Sequence, residues 1–276
     1  MNEVLTKFIG LAQKNTNILA IGLEGSQNNS HVIPDAWTDT DVTLFTHDPE
    51  KEDGEWWIQQ FGQPVIVQRL QSTNLFGPSH HLWHIWLTRY EGTLRIDLKI
   101  ASAADEAAYV KADHLNAIVW RRQTGELEPH VTSPESHFVS QPSPAEFEAH
   151  ITEFYWCAGN VAKGLARKNL VYANEQLNQL VRPELLKMWA YYFTVKKQGK
   201  FDAGVSDKFV WVALTPEERD ELAQSYDQTT LAKTRVSLRK LLKLYQQLLH
   251  RSAQVMAYEI PAFVAPAEKQ LLEWLA

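Results

Sequence analysis

The stretch Asp39-Thr40-Asp41-Val42-Thr43-Leu44-Phe45-Thr46 decides how the first half of this chain is read. Residues 41–46 alternate: Val42 and Leu44 face one way, Asp41, Thr43 and Phe45 the other, which is the period of a β-strand. Residues two apart on a strand project to the same side, so Asp39 and Asp41 can hold one hard cation between them. Upstream, residues 18–23 form a short apolar run that ends at Gly25-Ser26, the pattern of a buried strand running into a turn. A glycine there lets backbone N–H groups approach a phosphate, Ser26 adds a hydroxyl donor, and Asn28 and Asn29 extend the same turn. Downstream, residues 64–70 and 82–87 read as strands. Residues 93–100 alternate again, with Leu94, Ile96, Leu98 and Ile100 on one face and Arg95, Asp97 and Lys99 on the other. A neighbouring position for the two aspartate-bearing strands brings three carboxylates to one spot on the sheet. That is the arrangement metal-assisted phosphoryl or nucleotidyl transfer requires, with one carboxylate able to accept the attacking hydroxyl's proton. Flanked by Ile96 and Leu98, Asp97 needs a metal or an ionic partner, because an unpaired buried carboxylate is costly. Arg95 and Lys99 are the alternative partners.

Apolar residues at helical spacing over residues 4–14 add a helix, so the first part, to about residue 140, is a mixed sheet with helices. Residues 129–144 are rich in Pro, Ser and His and read as a linker. The rest is helical. Ser143-Pro144-Ala145-Glu146 and Thr215-Pro216-Glu217-Glu218 both carry the capping-box pattern. A continuous helix is expected over 174–197, closed by Gly199, and another over 231–258. The fold class is thus α+β, with a domain over 1–140 and a helical domain over 141–276 closing a cleft in which ligands bind.

Of 276 residues, 45% are hydrophobic and 22% charged, ordinary values for a folded protein. The net charge of −6 argues against a nucleic-acid partner held through its phosphates and suits a cationic small molecule. The single cysteine, Cys157, excludes an internal disulfide and reads as an inert buried thiol. No segment has the length and hydropathy of a membrane span and residues 1–11 lack a signal-peptide pattern, so a cytoplasmic location is expected. His80, His81 and His84 would not share one face of a strand and do not suit tetrahedral zinc. No Walker, Rossmann or nucleophile-elbow pattern is present.

Gly25-Ser26, then Asp39-Thr40-Asp41, then Asp97 in a later strand resembles the DNA polymerase β-like nucleotidyltransferases. A closer resemblance is to the aminoglycoside 6-adenylyltransferases. It is carried by residues 23–26, 39–43, Gln60-Phe61-Gly62, Arg95-Ile96-Asp97-Leu98, Lys163-Gly164-Leu165-Ala166-Arg167-Lys168, residues 178–186 and residues 204–209. The resemblance implies transfer of AMP from ATP, the co-substrate, to a hydroxyl of streptomycin or a related aminoglycoside, with release of pyrophosphate. It implies Mg2+ on Asp39 and Asp41, with Asp97 as general base or ligand of a second metal, and Gly25 and Ser26 on the phosphates. Lys163, Arg167 and Lys168, one turn apart on a helix, and Lys208, in an interhelical loop, would neutralise those phosphates; a solvated basic face is the alternative. Glu184 would meet the cationic acceptor, or pair with Arg182 or Lys187. The state is monomer or homodimer. Three positions depart from the family: Gln27 where arginine is usual, Val205 where lysine is usual, and Pro183 where histidine is usual. The first two remove positive charge where a triphosphate would lie. They leave open a different acceptor, or a catalytically weak nucleotide-binding regulator.

Overall fold

A computed structural model describes residues 3–72 and 83–276. The chain divides into two compact units, Met1–Ser136 and His137–Ala276.

In the first unit, helix α1 (Glu3–Ala12) leads into β1 (Ile18–Glu24), and β2 (Thr40–Thr46) follows a 3-10 turn and a loop. Then come α2 (Gly54–Gln59), β3 (Ile66–Ser72), β4 (Trp83–Arg89), β5 (Arg95–Ser102), α3 (Glu106–Ala112) and β6 (Ala117–Arg121). Among the described residues the six strands form one sheet in the order β3-β4-β5-β2-β1-β6. β2 and β5 run parallel, while the other neighbours are antiparallel. Side-chain alternation gives the sheet two faces. One carries Leu23, Ile21, Val42, Leu44, Ile96, Leu98 and Ile100, buried against Phe8 of α1 and Trp57 and Ile58 of α2. Each such large side chain contributes about 1.5–3 kcal/mol on burial. The other face packs Ala20, Phe45, Trp83 and Ala101 against Tyr109 of α3. Tyr109 lies directly over Gly22, where a Cβ would stand 2.7 Å from its hydroxyl, so only glycine admits the ring. The Phe45 cluster covers one end of that second face, and the acidic residues occupy the other.

The second unit is helical. α4 (Pro144–Ala166) starts at a complete capping box, with Ser143 Oγ accepting from the Glu146 N–H and Glu146 Oε2 accepting from the Ser143 N–H. α5 (Leu170–Gln176) and α6 (Arg182–Lys196) follow, then α7 (Lys208–Ala213), α8 (Pro216–Gln224), α9 (Leu231–Met256) and α10 (Val264–Trp274). Thr215 opens α8 with the second capping box. The long α9 lays Leu238, Leu241, Leu242, Tyr245, Leu248 and Leu249 into a core shared with Phe147, Ile151, Phe154, Leu185 and Trp189. The expected helix over 174–197 is continuous through residue 196, with one wider turn inside it. Leu177–Val181 forms a π-turn, and the Arg182 N–H bonds the Leu177 carbonyl five residues back. Pro183 has no N–H and its ring crowds the carbonyl four residues earlier, so the wider turn relieves a clash that a straight helix would carry. Gly199 takes φ +82 and donates to the Thr194 carbonyl at 2.8 Å, closing α6 as its sequence position predicts. No described helix is long and apolar enough to cross a membrane.

Candidate active site

The parallel register places Asp41 of β2 opposite Asp97 of β5. Asp39 stands just before β2. One carboxylate oxygen from each of Asp39, Asp41 and Asp97 lies within 4.8 Å of the other two. The three come together because two parallel neighbours carry their acids at matching positions on one face. Asp97 is 4% exposed. Burial pushes Asp41 up to about 7, helped by the charges of Asp39, Asp97 and Glu24 and opposed by Lys99.

Arg95, two residues before Asp97 on the same face, makes a two-pronged bond to it, with Nε donating to Oδ1 at 3.0 Å and Nη2 to Oδ2. Its Nη1 lies 3.3 Å from Asp39 Oδ2. The guanidinium therefore bridges two of the three acids. Beneath them, buried Glu24 accepts from Thr43 Oγ1 at 2.6 Å and pairs with Lys99. Of the two cations sharing Asp97's face, Arg95 is its partner and Lys99 belongs to Glu24.

Gly25 opens the 3-10 turn Gly25–Asn28 at φ +72, in the left-handed region. A Cβ there would stand 2.8 Å from Asp41 Oδ2, so the glycine keeps the acid's position open. Ser26 occupies the next position of that turn, and its carbonyl accepts from the Asn29 N–H. Gln27 donates through Nε2 to the Asp39 carbonyl at 2.7 Å and to Thr40 Oγ1 at 2.8 Å. It clamps the turn to the aspartate pair. Asn28 ties the same turn to Leu23 and Leu115 carbonyls at 2.7 and 2.8 Å.

The family model for streptomycin adenylyltransferase matches residues 1–270. The chain belongs to the streptomycin adenylyltransferase family. It is a nucleotidyltransferase. The aminoglycoside 6-adenylyltransferase of Bacillus subtilis (strain 168) is 26% identical over 95% of this chain and 93% of its own length. That of Staphylococcus aureus is 24% identical over 95% and 93%. A crystal structure of an aminoglycoside 6-adenyltransferase from Bacillus subtilis superposes with a TM-score of 0.50 at 23% identity, covering 99% of this chain and 97% of that one, and shares its fold.

In the helical unit of this adenylyltransferase, several residues have local settings that differ from the sequence expectation. α4 ends at Ala166, so Lys163 lies in its last turn, Arg167 caps it, and Lys168 is left-handed at φ 56. Lys163 and Arg167 stay one turn apart, joined by the Arg167 N–H to Lys163 carbonyl bond at 3.1 Å, while Lys168 lies beyond the helix; all three are exposed. The expected helix stops there because the Asn169 N–H turns back to the Gly164 carbonyl and Asn169 caps α5 through its side chain. Lys208 is not in a loop but opens α7, directly after the left-handed Ser206 and Asp207. Glu184 pairs with neither Arg182 nor Lys187. His150 Nδ1 of α4 lies 2.7 Å from its Oε2, in a half-buried setting. Arg182 instead turns inward to the Ser225 carbonyl at 2.9 Å and lies over the Tyr226 ring. Cys157 is buried, its thiol pushed up to about 12 by burial and by Glu153. His84 pairs with Glu50 at 3.0 Å, while His80 and His81 lie outside the described residues.

The raised Asp41 has a measurable consequence. Its contribution to stability is fully present below the unfolded value near 3.8 and is lost as pH rises through about 7, because the folded state favours the neutral acid. Asp41→Asn is therefore expected to melt above the parent at pH 8 in EDTA, and the advantage should disappear near pH 3.5. Thermal melts across that range check it. An advantage that grows toward low pH contradicts the assignment.

Proposed function

We propose that this chain transfers AMP from ATP to a hydroxyl of an aminoglycoside, with streptomycin as the first candidate, and releases pyrophosphate. The observation that carries the proposal is the convergence of Asp39, Asp41 and Asp97 on one face of the sheet, in a chain of this family. The donor set fits magnesium: a hard cation prefers a few carboxylate oxygens and completes its shell from phosphate and water. Asp39, Asp41 and Asp97 would hold it. When bound, magnesium supplies charge neutralisation at the phosphates and acidifies the attacking hydroxyl. The chain's own residues do the rest. Asp97 accepts the hydroxyl proton. Gly25 and Ser26 present backbone N–H groups and a hydroxyl to the phosphates. Lys163, Arg167, Lys168 and Lys208 are proposed as further phosphate partners, and Glu184 as the group that meets an acceptor ammonium. The net charge of −6 favours a polycationic acceptor.

The test is pyrophosphate release from ATP with magnesium, over a panel of streptomycin, other aminoglycosides and an uncharged hydroxyl compound of lincosamide type, with an EDTA arm. Release is expected only with an aminoglycoside and metal together, and should fall with rising salt as screening weakens the attraction. Release with the uncharged compound alone moves the acceptor class. Release in EDTA removes the metal reading.

A further inference from the structure

Three carboxylates this close repel one another, and Arg95 offsets that repulsion where no metal stands between them. Its guanidinium spans Asp97 and Asp39 with separate nitrogens, Nε and Nη2 on Asp97 and Nη1 on Asp39, the planar fork matching carboxylate oxygens. A cation placed among the three acids competes with Arg95 for the same oxygens. Lys99 cannot replace it there, since it is committed to Glu24 below. The Arg95 side chain is 34% exposed, so it has a route outward once its partners are taken. Outside the acids, the anion this reaction offers is the triphosphate. With Gln27 neutral and bonded to the Asp39 carbonyl, the turn beside the acids brings no cation of its own at that position.

We propose that Arg95 is a resident counter-cation that a divalent metal displaces from Asp39 and Asp97 and that then turns to the triphosphate, so that metal loads with nucleotide and not ahead of it. The inference rests on the metal reading above. It makes Arg95 a positioning residue with two opposed effects. Without nucleotide it holds metal off. With nucleotide it adds a charge-assisted bond that favours the loaded state.

Arg95→Gln separates these effects. Mn2+ alone, titrated by calorimetry or electron paramagnetic resonance, should bind the variant about tenfold or more tightly than the parent, a figure discounted for the guanidinium's exposure. The complex of ATP with magnesium should bind the variant about tenfold more weakly, the loss of one charged hydrogen bond. In EDTA the variant should melt below the parent, and Mn2+ should restore it. A structural role for Arg95 would weaken both ligands alike. Mn2+ affinity unchanged or reduced in Arg95→Gln, with Asp39→Asn still abolishing Mn2+ binding, overturns the proposal and leaves the metal site standing. Mn2+ binding indifferent to Asp39→Asn overturns both. Should Arg95→Gln fail to fold, Arg95→Lys carries the test. It keeps the charge but cannot span both acids, so it should shift both affinities in the same opposed directions by a smaller factor, and parent-like values for both overturn the proposal.

Discussion

Asp97→Asn lowers the single-turnover rate of AMP transfer by roughly 10²–10⁴, the range for loss of a general base. The loss is larger if the same carboxylate also holds metal, since the metal activates the same hydroxyl. Asparagine keeps the volume of a side chain only 4% exposed, so no cavity opens. Its carbonyl still accepts one bond from Arg95, and Arg95 keeps Asp39. One charge-assisted bond is lost and one repelling charge is removed from a cluster whose oxygens lie within 4.8 Å. These terms oppose each other, so the melting temperature should stay within about 4 °C of the parent, the shift that roughly 1 kcal/mol produces in a domain of this size. Single-turnover transfer and thermal melting on one preparation check both halves. A variant that folds and transfers AMP at the parent rate makes Asp97 a salt-bridge residue and nothing more.

Gly25→Ala tests the other side of the cluster. The new Cβ would stand 2.8 Å from Asp41 Oδ2, and Gly25 sits at φ +72, where a side chain costs about 1–2 kcal/mol. Two losses follow from one methyl. The backbone penalty lowers the melting temperature by about 2–8 °C. The displaced carboxylate lowers the transfer rate by about 10²-fold, the cost of misplacing a reacting group by about an ångström. Gly125→Ala separates the two. Gly125 has φ +70, but a Cβ there meets nothing within 4 Å. It should show the melting loss without the rate loss. Equal rates for both glycine variants would show that Asp41 tolerates displacement and is not part of the reacting geometry.

Much of this arrangement was legible in the sequence, and what was not has a physical reason. Strand alternation put Arg95, Asp97 and Lys99 on one face, and the capping boxes at Ser143 and Thr215 marked two helix starts to the residue. Both are local signals, set by backbone period and by side chains reaching three residues along. The strand pairing that sets Asp41 beside Asp97 is not local, and the family resemblance supplied the expectation that the acids meet. The allocation of cations was open, because periodicity gives a face but no partner; only the register assigns Arg95 to Asp97 and Lys99 to Glu24. Glu24, at the end of an apolar strand, carried no signal of its own beyond a charge in a hydrophobic run. In the helical half, spacing puts Lys163, Arg167 and Lys168 one turn apart on a helix, whereas α4 ends at Ala166 and Asn169 caps the next helix, leaving Lys168 outside both. The partner of Glu184 lies 34 residues away on another helix, beyond any spacing rule.

AMP transfer is expected to take place at Asp39, Asp41 and Asp97. Mass spectrometry of streptomycin after incubation with ATP and magnesium tests this, comparing the parent with an Asp39→Asn/Asp41→Asn double variant shown to be folded by a cooperative melt. One added AMP is expected with the parent and unmodified streptomycin with the double variant. Streptomycin carrying AMP to the same extent with both proteins would contradict it.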